Sequence, residues 1–195
     1  MRVLVRKEEG YELAVEGIGY SFGVEDTDRL YKVSERLADK DGGHNKFLES
    51  MMVWIEITAS RYFWQEFDTY RVGTTKQSES TIHTICKKQV SQADFSHHIL
   101  PAMIVYLNVL INEYNVTEDK DRKKELFELI KANLPEGYMQ KRMVCTNYKT
   151  LRNMIWQRRN HKLDEWHIFI GELKAQLVHS DILFKGWFKG EVNGD

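Results

Sequence analysis

The run MMVWIEIT, residues 51–58, constrains the fold most, because it passes almost directly into an aromatic segment of different period. The run is rich in β-forming residues and reads as a buried strand. Tyr62, Phe63, Trp64 and Phe67 then carry a helix, and the aromatic stretch from Arg61 to Tyr70 reads as core rather than interface. A chain that switches period this sharply mixes strands with helices.

The flanking segments extend that pattern. Arg2–Arg6 alternates as an opening strand, and Tyr11–Val15 is expected to pair with it as a hairpin across Glu8–Gly10. GIGYSFG, residues 17–23, has the wrong spacing for a dinucleotide fingerprint and no downstream acid, so it reads as a flexible turn. Asp26 or Thr27 caps a helix running to about Ala38, which Asp41-Gly42-Gly43 ends. Phe95–Tyr114 places Ile99, Met103, Tyr106, Leu110 and Tyr114 on one helical stripe. Glu118–Ala132 forms the next helix and Leu134-Pro135-Glu136-Gly137 breaks it. A short strand over Arg142–Thr146 and helices over Asn147–Arg159 and Asp164–Val178 complete the set.

Composition limits the function classes. A chain of 195 residues, 42% hydrophobic, has enough apolar material for one compact domain or a domain with a small appendage. Lys+Arg number 28 against 29 for Asp+Glu, which lacks the basic excess of a dedicated nucleic-acid binder and suits a small anionic ligand better than a long polyanion. Cys86 and Cys145 stand far apart without CxxC or Cys/His companions, so neither a disulfide framework nor a zinc site is expected, and a reducing cytoplasm is the natural setting. The apolar run Ile99–Ile111 is interrupted by Pro101 and Asn108 and falls short of the roughly 20 residues of a membrane helix, and the N-terminus lacks an apolar signal core. A soluble protein is the expectation. The seven histidines form no HExxH or other ligand-spaced set, and no GxSxG elbow or Cys–His pair presents a nucleophile.

Two distant segments carry the chemistry. Arg61–His83 joins the aromatic helix to Arg71 and a hydroxyl-rich loop, and Thr146–Ile168 ends an amphipathic helix in Arg158 and Arg159. Together they suggest an anion and nucleotide site. Asn147, Leu151, Met154, Ile155 and Arg158 share one helical face, so Arg158 is expected to be partly buried and to need a partner. That partner is either a bound nucleotide or flavin, or merely the helix C-terminal dipole. Arg152, Arg159 and Lys162 read as dipole complements. In Val72–His83, Gly73 supplies backbone freedom and Thr74, Thr75, Ser78, Ser80 and Thr81 supply hydroxyls, so the stretch reads equally as a phosphate cradle or as a capped turn before a helix near Thr81.

Several residues then recur in an order met in one family. Ser21-Phe22, His44 with Glu49, the aromatic helix leading to Tyr70-Arg71, the Ser78/Ser80 stretch, Leu134-Pro135, and Asn147-x-Lys149-x3-Asn153-x4-Arg158 resemble the pattern of flavin-dependent thymidylate synthases over nearly the whole chain. The resemblance implies a single α+β domain over residues 1–195, a small sheet with several helices, assembled as a homotetramer in the cytoplasm. It implies FAD as cofactor, dUMP as substrate, methylenetetrahydrofolate as one-carbon donor and NADPH as reductant, with no nucleic acid, membrane or metal. By position, Ser21, His44, Glu49, Tyr70, Arg71, Asn147, Lys149 and Asn153 fall to FAD. Glu66, Ser78, Glu79, Ser80, Lys131 and Arg158 fall to the nucleotide, with Arg158, Ser78 and Ser80 as the catalytic set.

The chain departs from the family at its signature. Arg-His-Arg followed after seven residues by Ser becomes Thr69-Tyr70-Arg71 with Glu79 at the serine position, which removes a cation and adds an anion. The form FDTYRVGTTxxSxST resembles a divergent branch met in phages and gut bacteria. Two other functions follow from this change: a related enzyme that methylates or hydroxymethylates dCMP or dUMP for phage DNA modification, or a catalytically lapsed nucleotide-binding or assembly protein of the same fold.

Overall fold

The computed structural model describes residues 1–40 and 43–186. Asp41 and Gly42, expected to end a helix, lie outside the described residues. The chain runs β1 (Arg2–Glu9), α1 (Tyr11–Phe22), α2 (Thr27–Ala38), β2 (Met52–Ser60), α3 (Arg61–Phe67), β3 (Thr74–Ser78), α4 (Thr81–Thr84), α5 (Pro101–Val116), α6 (Lys120–Asn133), β4 (Met139–Asn147), α7 (Tyr148–Arg158), α8 (Asp164–Gln176) and α9 (Ser180–Leu183). The strands form one sheet in the order β1-β2-β4-β3, an α+β architecture. In β2 the side chains of Val53, Ile55, Ile57 and Ala59 are fully buried while their alternate neighbours are half-buried, the two-residue period of a strand with one face on a core.

The chain divides into two compact units, and β2, β3 and β4 each pass from one into the other. One unit comprises Met1–Arg2, Thr58–Asp68 and Gln77–Arg142. Its core joins Leu107, Leu110 and Ile111 of α5 to Leu126 and Ile130 of α6, with Ile85, Val90, Phe95, Leu134 and Tyr138 around them. The helix expected from Phe95 begins instead at Pro101, whose ring fits the first helical position. The preceding residues satisfy their backbone otherwise: Ser96 N–H donates to the Gly137 carbonyl at 2.9 Å and Ile99 N–H to Gln92 Oε1 at 2.9 Å. Within the same unit Ser60 caps α3 by accepting from Phe63 N–H at 3.2 Å. Phe63, Trp64 and Phe67 are buried as the aromatic run requires. Arg61 ties α3 to the break after α6, donating to the Leu134 carbonyl at 2.7 Å and pairing with Glu136 at 3.1 Å. Arg142 lies 4.3 Å over the Trp64 ring and pairs with Asp68 at 3.0 Å.

The second unit comprises Val3–Ile57, Thr69–Lys76 and the chain from Met143 onward. Here Tyr11–Val15 is helix rather than a hairpin strand, and GIGYSFG is the second half of that helix rather than a turn. Two observations explain this. Gly10 sits at φ +94°, where a side chain would also run into the Ser50 carbonyl, so only glycine fits where the chain passes from β1 straight into α1. Ala14, Val15, Ile18 and Gly19 form the buried face, whereas Leu13, central to the alternating reading, is 74% exposed. Asp26 caps α2 as expected, accepting from Arg29 N–H at 3.2 Å. At the other end Gln176 of α8 clips β1 from both directions, accepting from Val5 N–H at 2.9 Å and donating to the Val3 carbonyl at 3.0 Å. Buried Tyr148 donates to Glu8 at 2.5 Å, and burial, then that carboxylate, push its phenol far above the usual range.

Candidate functional site

The site is best built from α7. Asn147 ends β4, and its side-chain oxygen accepts from Thr150 N–H at 2.9 Å, so the helix starts on a fixed cap. Gly73 lies against this cap at φ +66°, where an added Cβ would fall 2.8 Å from Asn147 Nδ2 and 2.7 Å from Thr150 Oγ1. The cap therefore brings the 69–73 segment beside the first turn of α7. Thr146 Oγ1 completes the join by donating to the Gly73 carbonyl at 3.0 Å.

Beyond the cap, α7 carries two stripes. Leu151, Met154 and Ile155 are buried in the core, with Arg158 half-buried at their end. Lys149, Arg152, Asn153 and Trp156, spaced i, i+3, i+4 and i+7, line a cavity of about 670 Å³ together with Asp39, Asn45, Thr69, Tyr70, Arg71, Val72 and Thr150. Its charges are unevenly matched. Arg152, buried, pairs with Asp39 at 3.1 Å and donates to the Leu183 carbonyl at 2.9 Å. Lys149 donates to the neutral oxygen of Asn45, and exposed Arg71 has no ion pair among the described residues. Two cations are thus left to face an anionic ligand beside aromatic walls.

Of the residues that the resemblance gives to FAD, Tyr70, Arg71, Lys149 and Asn153 meet in this cavity and Asn147 caps the helix beneath it. Ser21, His44 and Glu49 meet in a second cavity of about 690 Å³, floored by Leu13, Ile18, Phe22 and Leu37. The 43–46 stretch serves both, with Asn45 on the first and His44 and Lys46 on the second.

Arg158 has its partners within the protein. Its Nε donates to the Tyr70 hydroxyl at 2.9 Å, and its guanidinium lies 5.0 Å over Trp166 and 5.6 Å over Tyr70. The Tyr70 hydroxyl donates onward to Gln157 at 3.0 Å. The partial burial expected from spacing is present, and the Tyr70 and Trp166 rings accompany it.

The remaining predicted residues lie in the other unit. The hydroxyl-rich stretch is strand β3 as far as Ser78, at the edge of the sheet, where β-branched threonines and polar side chains are at home. Glu79 continues the pairing, its N–H donating to the Lys141 carbonyl at 2.8 Å. Ser80 precedes α4, and Lys131 donates to the hydroxyl of the adjacent Thr81. Burial, and then Arg61, lower the Lys131 ammonium below its ordinary range. Glu66 lies half-buried on α3.

Arg152 corrects its reading as a dipole complement: it lies toward the start of α7, buried and paired. Asp39, Asn45 and Trp156 are the site residues that sequence reasoning passed over. The i, i+3, i+4, i+7 stripe from Lys149 was the signal that could have found Trp156. Among the described residues, no group of three or more His, Cys, Asp or Glu could hold a metal ion. No helix among them is long and apolar enough to cross a membrane.

No family model and no curated protein matches the chain. Solved structures do. Two crystal structures of the thymidylate synthase ThyX from Helicobacter pylori, each with FAD and dUMP, are similar to it with a TM-score of 0.75 at 20% identity. They cover 94% of this chain, which in turn covers 98% and 97% of theirs. The chain has the fold of the flavin-dependent thymidylate synthases.

Proposed function

We propose that the protein is a flavin-dependent thymidylate synthase-like methyltransferase that converts dUMP to dTMP, with methylenetetrahydrofolate as one-carbon donor and NADPH as reductant. The observation that carries this reading is the cavity of α7. It gathers Tyr70, Arg71, Lys149 and Asn153, within a fold whose solved examples hold FAD and dUMP. The residues fit the cofactor, since two cations without carboxylate partners among the described residues suit its diphosphate and the aromatic walls suit its rings. Bound FAD would supply the hydride that completes the methyl group.

The protein's own part is to bind and orient. Arg71 and Lys149 would neutralise phosphate, Asn153 would offer an amide, and Ser21, His44 and Glu49 would hold a further part of the cofactor. Arg158, its guanidinium held against the Tyr70 and Trp166 rings, would point hydrogen bonds at the pyrimidine. Ser78, Ser80 and Lys131 keep the nucleotide role that the family resemblance gives them. The Asn147 cap and Gly73 hold the first turn of α7, and with it Lys149, in place. A homotetramer in the cytoplasm belongs to the same proposal.

One observation favours a second reading. Glu79 stands where the family resemblance expects serine and joins the β3–β4 ladder, so loss of activity with retention of the fold is the competing account. Turnover assays with FAD, NADPH and methylenetetrahydrofolate decide between them. Formation of dTMP from dUMP supports the proposal. Turnover of dCMP alone replaces the substrate with one for base modification, and inactivity on both in a flavin-free protein sustains the lapsed reading.

A further inference from the structure

We infer that Trp156 is a stacking platform for a planar ring of the bound nucleotide cofactor, an addition that rests on the proposed function and names a recognition residue within it. The cavity has two aromatic walls, and they are not equivalent. Tyr70 is committed: it is 9% exposed, its hydroxyl serves both Arg158 and Gln157, and Trp166 meets its ring edge-on with centroids 6.0 Å apart. Trp156 is half-buried and lines the same cavity as Arg71 and Lys149, so an indole and two phosphate-binding cations face one volume.

Two arginines lie close to the indole. Arg152, one turn earlier on α7, lies 5.6 Å from its ring centroid and is immobilised by Asp39 and the Leu183 carbonyl. Arg159 lies 4.9 Å from the centroid and is exposed, with no ion pair among the described residues. The first supports the ring from within the protein. The second is solvated, and its guanidinium can return to water when a heteroaromatic ring stacks on the indole. Trp156, Arg71 and Lys149 line one cavity, so a single dinucleotide with a ring on the indole would present its phosphates to the two cations.

The test titrates wild type, Trp156→Ala and Trp156→Phe with FAD, FMN and ADP, following the visible flavin spectrum and the indole emission. FAD should quench a component of emission that Trp156→Phe lacks. Trp156→Ala should weaken FAD binding about tenfold, and Trp156→Phe, which keeps a stacking face, should stay within about threefold of wild type. Matching quenching by ADP assigns the ring as adenine, and by FMN as the isoalloxazine. Equal FAD affinity in wild type and Trp156→Ala overturns this inference alone. Failure of wild type to bind any of the three overturns it together with the proposed function.

Discussion

Gly73→Ala reports on the joint that positions the site. At φ +66° an alanine costs about 1–2 kcal/mol in the left-handed region. The unfolded chain loses some freedom on the same change, which returns about 0.5 kcal/mol. A second effect is steric, because the new Cβ would lie 2.8 Å from Asn147 Nδ2 and 2.7 Å from Thr150 Oγ1. Asn147 cannot swing away freely, since its oxygen caps α7 through Thr150 N–H. Displacing it forfeits a helix cap, about 1 kcal/mol. The net expectation is about 2 kcal/mol, a urea midpoint lower by about 1 M at a typical slope. A cycle with Asn147→Ala sharpens the test, because both changes remove the same cap and the double variant should cost less than the sum by about 1 kcal/mol. A loss below about 0.5 kcal/mol for Gly73→Ala, or strict additivity in the cycle, refutes the coupling of Gly73 to the cap.

Other perturbations test the surrounding structure. Asp39→Asn should cost about 2 kcal/mol in urea unfolding, because it removes a carboxylate paired with the buried Arg152 guanidinium, and Arg152→Met in the same background should recover part of the loss. Arg142→Lys should cost about 1–2 kcal/mol, since an ammonium does not reproduce the planar guanidinium's stacking on Trp64, and a thermal melt unchanged from wild type would contradict this. Asp94 gives a pH dependence. Burial draws its carboxyl upward, but Lys88 and the Ser91 N–H and hydroxyl outweigh it and hold the group below the ordinary aspartate value. A carboxylate lowered by folding contributes stability that is fully present above the unfolded value and lost as pH falls through the folded one. The destabilisation caused by Asp94→Asn should therefore be greatest near neutral pH and shrink below the usual aspartate range, and a cost that grows toward acid would contradict the assignment.

The parts of the fold that could be read from the chain are those where local pattern and tertiary burial agree. MMVWIEIT became β2 and RYFWQEF became α3 because the β-rich run and the aromatic spacing already pointed to a buried face. Tyr11–Val15 failed because its short apolar alternation fits a helix and a strand alike, and the burial of Ala14 and Ile18 decided the matter. The hydroxyls of 74–78 were misread as a loop because an edge strand tolerates the polar residues that a loop prefers. In the site, the residue types of Arg71, Lys149 and Asn153 were legible by resemblance. The Arg152–Asp39 pair was not, since its partners lie more than a hundred residues apart in the chain and only the folded packing of α2, α7 and α9 joins them.

The proposed function requires that this fold bind a flavin and a pyrimidine nucleotide. Its most direct test is the visible absorption spectrum of the purified protein titrated with FAD, alone and with dUMP. A bound oxidised flavin whose bands shift again when dUMP is added is the expected result. A spectrum identical to that of free FAD under both conditions would contradict it.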